Sequence, residues 1–243
     1  MTTTSLTDRK STVPNSKGPT VTTNIPDAIP YEGDDWAQNM ARQMHLPLLG
    51  MGLMAIAGGF VSGVVAGVNF GDFFSPSGAV SDLGTAEAAV QVTGSVLFLG
   101  MGLILAGITM TLVNVVRSLR DAGQDVQQAL GAQPLQLKKP LSGKLTPHVM
   151  MMGVMIEVAA LVVGLIAAVT IGGVDPAAIA DPASASAGDL GDIGFVRAAS
   201  AWLPGLRLVG IAVILGSIVL TLTTIRSAIR FQGDRVSELA TRS

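Results

Sequence analysis

The sequence contains no cysteine and is poor in aromatic and charged residues. The lack of cysteine excludes disulfides, thiolate metal sites and cysteine nucleophiles. Only 13% of the residues are charged and 4% are aromatic. A water-soluble fold of this length needs more polar surface, so the scarcity of charge excludes that class. The net charge of -2, without any basic face, gives no support for nucleic-acid binding.

The apolar residues, 49% of the chain, are gathered in long runs. A helix needs about 20 mostly apolar residues to cross a hydrocarbon core of about 30 Å. The runs therefore predict an all-α membrane protein with four transmembrane helices. Their cores lie at residues 47–70, 93–116, 147–171 and 202–225.

The basic residues predict an orientation. Lys and Arg precede the first span, separate the second from the third, and follow the fourth, whereas the other two loops hold acids and only Arg197. Because basic residues are retained on the cytoplasmic side, we expect a multi-pass protein of the cell (inner) membrane with both termini in the cytoplasm. The polar start MTTTSLTDRK has no cleavable-signal pattern, so the first span is expected to direct insertion.

An internal repeat is predicted from two similar segments. The second span and its exit, GLILAGITMTLVNVVRSLRDAGQD, resemble the fourth, IAVILGSIVLTLTTIRSAIRFQGD, with Gly107 on Gly216. Spans one and three match more weakly, with His45 on His148. Because both halves enter from the same side, we expect two parallel two-helix repeats related by an axis along the membrane normal.

Five segments follow from these patterns. The Thr-, Ser- and Pro-rich start predicts a cytoplasmic tail that is disordered or bound by a partner. Asp34 and Asp35 are expected to cap a short interfacial helix that ends before Pro47. The charged exits of spans two and four are expected to continue as helices that dock on each other or on a partner, or fray. The segments are the tail 1–33, interfacial helix 34–45, first repeat 46–130, cytoplasmic linker 131–144 and second repeat 145–243.

Two charges fall inside the predicted spans. Glu157 lies about 15 Å into the third span, near the bilayer midplane. An acid at that depth costs roughly 2.5 to 3.5 kcal/mol on insertion scales. Arg207 is expected near the outer interface beside Trp202, where a long side chain can snorkel. The axial offset of about 12 Å then predicts no direct pair, and the repeat places Met54 and Phe98 at the equivalent positions.

Three hypotheses account for Glu157. It is protonated and bonded to a neighbouring group, or it faces a second protein, or it lies on a proton or ion path. The path is the least supported because an acid without relay groups conducts poorly. Candidate partners for a protonated Glu157 are Thr109, Thr111, Asn114 and Ser217.

Small residues recur every four positions along two spans. Because lipid offers no hydrophobic drive for helix association, flat rows of small residues favour close packing of helices. Packing inside the bundle is expected, with a subunit interface as the alternative. The rows are Ala55, Gly59, Gly63 and Gly67 in the first span, and Ala160, Gly164 and Ala168 in the third.

The two histidines have methionine neighbours. His45 and His148, with Met44 and Met152, are of the types that hold Cu(I) or haem. Methionine is also common filler in apolar helices, so neither cofactor is predicted and only bound lipid is expected. No Ser/His/Asp arrangement, phosphate loop or close carboxylate pair is present, and no catalytic residue is predicted.

These observations favour a non-catalytic accessory or scaffold subunit of a larger membrane complex, such as a respiratory or oxygenase assembly. The expected partners are other membrane subunits and the bilayer. A small transporter or channel subunit with Glu157 as a proton or cation site is the alternative. A second alternative is a redox subunit that binds haem or copper through His45 or His148.

Overall fold

The computed structural model describes residues 27–31, 36–76 and 78–241. Four helices in these ranges are long and apolar enough to cross a membrane, which confirms the predicted helical class and agrees with a multi-pass membrane protein. The helices are α1 (Trp36–Phe73), α2 (Val80–Ala129), α3 (Leu141–Gly173), the short α4 (Pro176–Ala180), and α5 (Ala187–Ala240), with a 3-10 turn at Pro182–Ser184 between the last two.

Helix α2 is the centre of the bundle. It packs along α1 on one side and against α3 and α5 on the other, while α3 packs along α5. Gln91 of α2 bonds to Ser200 of α5, and further along both helices Thr109 bonds to Ser217. Helices α2 and α5 therefore run parallel. The apolar stretch of α1 is the least buried of the four, because α1 packs mainly against α2.

Successive long helices are antiparallel, so charge is sorted to the two ends of the bundle. We call the two ends the basic end and the acidic end, after the charge that predominates at each. The basic end holds more bases than acids: the bases are Arg42, Arg117, Arg120, Lys138, Lys139, Lys144, Arg226, Arg230 and Arg235, and the acids are Asp27, Asp121, Asp125, Asp234 and Glu238. The acidic end holds Asp72, Asp82, Glu87, Asp175, Asp181, Asp189 and Asp192, with Arg197 as its one base among the described residues.

Several acids of the acidic end cap helices. The carboxylate of Asp175 accepts a hydrogen bond from the N–H of Ala177 at 2.9 Å, at the start of α4. Ser186 caps α5 by accepting from the N–H of Asp189 at 3.2 Å. A side-chain oxygen at a helix start satisfies an N–H group that has no partner within the helix. These hydrogen bonds stabilise the first turns of α4 and α5 at the acidic end.

Helix α1 continues through Pro47 as one element. The sequence instead predicts a short helix that ends before this proline. Proline removes one backbone N–H, but the helical conformation continues on both sides of Pro47. The predicted caps, Asp34 and Asp35, lie outside the described residues.

A two-stranded sheet at the basic end was not predicted. Strand β1 (Ala28–Pro30) pairs antiparallel with β2 (Leu135–Leu137), with Ile29 opposite Gln136. Residues 28–30 of the predicted tail thus pair with the predicted linker of the same chain. Residues 1–26 of that tail lie outside the described residues.

Gln127 fixes the turn between α2 and this sheet. Its side chain is fully buried, donates to the carbonyl of Leu135 at 3.0 Å, and accepts from the N–H of Leu135 at 2.8 Å. Helix α2 ends at Ala129, and Gly131 follows with a φ of 70°, which suits glycine. The N–H groups of Gly131 and Ala132 close the helix on the carbonyls of Gln128 and Gln127.

The helical extensions at the basic end dock on each other. Helix α2 has 50 residues, about 75 Å, which is far longer than a bilayer core. At Gly123 there is no room for a Cβ because the side chain of Gln232 from α5 occupies the space. Phe231 is buried in the same interface, and Arg235, also buried, pairs with Glu238 at 2.7 Å.

Candidate functional site

One face of α5 is buried along nearly the whole helix, and its members recur every three or four residues. This spacing is that of a helix packed lengthwise in a bundle. Arg207 therefore belongs to the inward face of α5, and Glu157 lies on the corresponding face of α3. The buried members of α5 are Ile193, Val196, Ala199, Leu203, Arg207, Gly210, Ile214, Ser217, Thr221, Thr224, Ala228, Phe231 and Arg235.

Glu157 is held in a slot between two glycines. Its side chain is 1% exposed. A Cβ added at Gly102 of α2 would lie 3.1 Å from the Cγ of Glu157, and one added at Gly210 of α5 would collide with Oε1. Any larger residue at position 210 would require Glu157 to move. The slot therefore depends on glycine in both neighbouring helices.

Among the residues that the structure describes, neither carboxyl oxygen of Glu157 has a hydrogen-bond partner. The four candidate partners predicted from the sequence bond elsewhere. Thr109 and Ser217 bond to each other, Thr111 donates within its own helix, and Asn114 donates towards α1. Burial of an acid without partners costs free energy, so Glu157 is the least satisfied side chain of the bundle interior.

Arg207 is directed into the bundle, so its predicted snorkelling position is wrong. It is 6% exposed, and its Nη2 donates to the Oγ of Ser95 at 2.6 Å. The guanidinium carbon lies 5.8 Å from the ring centre of Phe98. Gly94 and Gly164 leave room for the guanidinium, since a Cβ at either would approach its nitrogens to 2.6 and 3.2 Å.

Glu157 and Arg207 are neighbours, although the sequence predicted that they would be separated along the axis. Gly210, one turn after Arg207, lies level with Glu157. The two charges are close enough to interact, but no hydrogen bond joins them. The nearby N–H of Ile211 lies inside α5, where the helix already uses it. The predicted offset assumed that the spans end at equal heights, whereas packing sets their register.

Other polar side chains join helices in the same interior. We call this set the polar seam. It passes through most of the bundle, because its pairs occur at successive heights along α2, α3 and α5. Its pairs are Gln91–Ser200 at 2.8 Å, Ser95–Arg207 at 2.6 Å, Thr109–Ser217 at 3.2 Å and Ser142–Thr224 at 2.8 Å, with Glu157 between the second and third.

Apolar residues interrupt the polar seam. Ala106 and Ile214 are fully buried and lie between Glu157 and the pair formed by Thr109 and Ser217, a step of about 10 Å. Towards the acidic end, an apolar cluster closes the bundle. That cluster comprises Ala167, Ile171, Val174, Ala178, Ile193, Val196 and Ala199.

A cavity opens at the basic end. It has about 930 Å³ of empty space, open mouth included, and lies among the first turns of α1 and α3 and the later turns of α2 and α5. Thr109 and Met150 line it at the depth nearest the bundle centre, and Arg120 and Lys139 lie at its outer rim. We call it the basic-end cavity. Its deepest part adjoins the apolar layer formed by Ala106 and Ile214, on the side of that layer that faces the basic end.

The predicted rows of small residues lie at helix contacts. Gly59 lies against Leu97 and Gly63 against Thr93, both between α1 and α2, and Gly164 faces Ser95. The row in the third span thus leaves space for the polar seam. The other members are Ala160 and Ala168, which are buried, Ala55, which is partly buried, and Gly67, where an added Cβ meets nothing within 4 Å.

The structure does not bring the predicted metal candidates together. The Nδ1 atoms of His45 and His148 lie 3.0 and 3.2 Å from the carbonyl four residues earlier in their own helices. Met44 and Met152 are exposed. Among the described residues, no group of three metal-binding His or acidic side chains occurs. Met150 instead lines the basic-end cavity.

Sequence reasoning missed Ser95, which bonds to Arg207, and Gly210, which lies against Glu157. The sequence does contain a pattern that indicates part of the polar seam. Inside the apolar stretch of α5, Arg207, Ser217 and Thr224 keep helical spacing on one face. Polar residues that share a face within a membrane span mark an inward surface, because lipid excludes them.

No protein-family model matches the chain, and the comparisons with curated proteins and with solved structures likewise found no match.

Proposed function

We propose that the protein is a multi-pass subunit of the cell membrane that binds a proton or a cation at Glu157 as part of a transport path. The observation that carries the proposal is a buried carboxyl with two unpartnered oxygens beside a buried arginine. Ionisable groups at membrane depth are expensive, and they mark ion paths and proton relays. A purely structural carboxyl would be expected to use at least one of its oxygens as a hydrogen-bond acceptor.

The neighbouring polar seam removes the main objection to a path. An acid without relay groups conducts poorly, but Thr109, Ser217, Thr221 and Thr224 lie along one line between Glu157 and the basic end. Hydroxyl groups donate and accept, so they can pass protons or solvate a small cation. The polar seam therefore supplies the relay groups that the sequence alone did not place near Glu157.

Access is asymmetric in the proposed path. The basic-end cavity reaches Thr109, and only the layer of Ala106 and Ile214 separates that depth from Glu157. The apolar cluster around Val174 and Ile193 blocks the opposite direction. The described conformation is therefore suited to exchange with the basic end, and transport requires a second conformation that opens the acidic end.

Arg207 acts as the counter-charge in this proposal. It is fixed by Ser95 and stacks near Phe98, so it remains in place whether Glu157 is charged or neutral. Proton or cation binding at Glu157 then changes the net charge of the buried pair. That change in buried charge is a source of free energy for switching conformation.

The orientation and the repeat belong to the same proposal. On the retention of basic residues we propose that the basic end, where α1 begins and α5 ends, faces the cytoplasm. Two equivalent close contacts support the repeat, since Gly52 lies against Gly100 and Ile104, and Gly153 lies against Gly210 and Ile214.

These contacts define new equivalent positions. Applied along the helices, they make Ile56 the counterpart of Glu157 and Leu97 the counterpart of Arg207, instead of Met54 and Phe98. The charges therefore belong to the second half alone. One site per chain is expected, at the contact of that half with α2.

Flux in proteoliposomes tests the proposal. Purified protein is reconstituted and proton or monovalent-cation flux is followed with a dye under an imposed gradient. We expect Glu157→Gln to lose flux with unchanged insertion. Asp192→Asn removes an exposed acid of the acidic end and serves as the matched control. Wild-type flux in Glu157→Gln, or no flux of either ion with the native protein, contradicts the proposal.

A second candidate is the accessory or scaffold subunit of a larger complex. Gly194, Gly205 and Gly216 lie on one outward side of α5, and an added Cβ at each meets nothing within 4 Å. Small residues on a lipid-facing side favour contact with another membrane helix. The transport and scaffold roles are compatible, because a path can be completed by partner subunits.

Mild-detergent extraction of the native protein, followed by mass spectrometry, tests the second candidate. Stoichiometric co-purification of other membrane polypeptides is expected, and Gly205→Leu should release them. Gly58→Leu, at an equally open glycine of α1, is the matched control. Isolation of this chain by itself from native membranes contradicts the scaffold role.

A further inference from the structure

We infer that the ion carried at Glu157 is a proton and not a metal cation. The inference rests on the proposed transport function and narrows its substrate. A metal cation that leaves water must replace its hydration shell with several oxygen ligands. A proton needs a single acceptor oxygen, because it forms an O–H bond with the carboxylate and leaves a neutral acid.

The side chain of Glu157 is packed directly against glycine backbone on two sides. A Cβ at Gly210 would collide with its Oε1, and a Cβ at Gly102 would lie 3.1 Å from its Cγ and 3.4 Å from the Cδ1 of Ile214. Ile214 itself is fully buried. A metal ion with its ligands would have to push these helices apart, whereas a proton adds no volume.

Side-chain oxygens that could complete a cation site lie too far from the slot. Among the described residues, the seam hydroxyls nearest to it on α2 are those of Ser95 and Thr109, on either side of Gly102. Each lies two helical turns, about 10 Å, from that glycine. On α5, Ser217 lies two turns from Gly210. One ion cannot bind the buried carboxyl and any of these hydroxyls at once.

Backbone carbonyls do not supply the missing ligands. Where a helix is broken inside a membrane, the freed carbonyls can coordinate a cation. Helices α2, α3 and α5 each continue past the slot, so the carbonyls beside Glu157 accept hydrogen bonds of their own helix. Pro204 leaves the carbonyl of Ser200 without its helical donor, but Ser200 is about 15 Å along α5 from Gly210.

Arg207 opposes a second positive charge at the slot. The sequence places no other charge in the apolar stretches of the four long helices, so the guanidinium is the one charged group beside Glu157. A metal ion on the carboxylate would keep its full charge next to the guanidinium, and the two would repel each other strongly at low dielectric. Protonation instead neutralises the carboxylate and leaves the charge of Arg207 alone.

The test compares three ions with the full chain in proteoliposomes. Proton entry is driven by a potassium diffusion potential with valinomycin and followed with a pH dye, in buffers that contain either sodium or N-methylglucamine. Uptake of radioactive sodium and rubidium is measured without valinomycin. We expect proton entry at the same rate in both buffers, and no uptake of either tracer that depends on Glu157. Glu157→Gln should lose proton entry, and Glu87→Gln, the same substitution at the acidic end, should keep it.

Infrared difference spectroscopy measures protonation itself. Between low and high pH, the C=O stretch of a protonated carboxyl should appear in the native protein and in Glu87→Gln, and should be lost in Glu157→Gln. Exchange of sodium for N-methylglucamine should leave its titration unchanged, because no cation competes with the proton for these oxygens.

The inference and the proposed function fail on different results. Glu157-dependent uptake of sodium or rubidium, proton entry that requires sodium, or a carboxyl titration that shifts with sodium would overturn the inference while a cation path at Glu157 still stood. Absence of Glu157-dependent flux of all three ions would contradict the proposed function, and the inference with it.

Discussion

Gly210 of α5 lies directly against the carboxyl of Glu157 on α3, and a Cβ at position 210 would collide with its Oε1. The contact fixes the height of the acid in the bundle and presents it to Arg207. A glycine without any chemistry of its own thus determines where the charge lies.

The contact predicts that Gly210→Ala destabilises the protein. Because the added methyl group overlaps the carboxyl, we expect a loss of about 1 to 3 kcal/mol in the free energy of unfolding. Reversible unfolding in mixed micelles measures it. Gly216→Ala, where an added Cβ has open space, is the control and should have no such cost. A loss that persists at full size in Gly210→Ala combined with Glu157→Ala would contradict the explanation.

The buried pair predicts non-additive losses. Glu157→Met leaves Arg207 without its neighbouring acid in the bundle interior, at a cost on the order of 3 kcal/mol. Glu157→Met with Arg207→Met should be less destabilised than the single variant, because no unpaired charge remains. Chemical denaturation in micelles gives both values, and Arg197→Met, exposed at the acidic end, is the neutral control. Strict additivity would refute the coupling.

The hydroxyl contact of Thr109 with Ser217 predicts a small coupling across α2 and α5. Interhelical hydrogen bonds of this kind contribute about 0.6 kcal/mol in membranes. A double-mutant cycle of Thr109→Val and Ser217→Ala should return that interaction energy. Thr111→Val with Ser217→Ala is the matched cycle and should be additive. Both threonine hydroxyls bond to a carbonyl of α2, but among the described residues only Thr109 also contacts Ser217. Equal coupling in both cycles would argue against a direct contact.

Gln127 donates one hydrogen bond to Leu135 and accepts another from it, and these bonds predict that Gln127 stabilises the sheet locally. Gln127→Ala should speed amide exchange at Leu135 by about 10-fold or more, since the strand loses its anchor. Hydrogen exchange in a peptide that covers residues 131–140, followed by mass spectrometry, measures this rate. Gln128→Ala, at the exposed neighbouring position, should leave exchange unchanged. Equal exchange in both variants would mean that the β1 pairing alone holds the strand.

The seam around Arg207 illustrates how far sequence reasoning reached. Arg207 and Glu157 were identified as unusual, because a charge inside an apolar run is visible in one dimension. Their mutual position was predicted wrongly. The prediction set helix heights from span ends, whereas the close approaches at Gly153 and Gly210 set the register of α3 against α5.

The amino-acid sequence by itself determined the four helices that are long and apolar enough to cross a membrane and the charge that predominates at each end, because the transfer of each apolar run into lipid depends on its own residues. Only the tertiary structure decided which residues surround Glu157, that its oxygens lack partners, and that residues 28–30 pair with the linker. Those outcomes depend on how the helices slide and rotate against one another. Contacts between distant residues fix that arrangement, and a local pattern indicates which face of a helix turns inward but not which residues that face contacts.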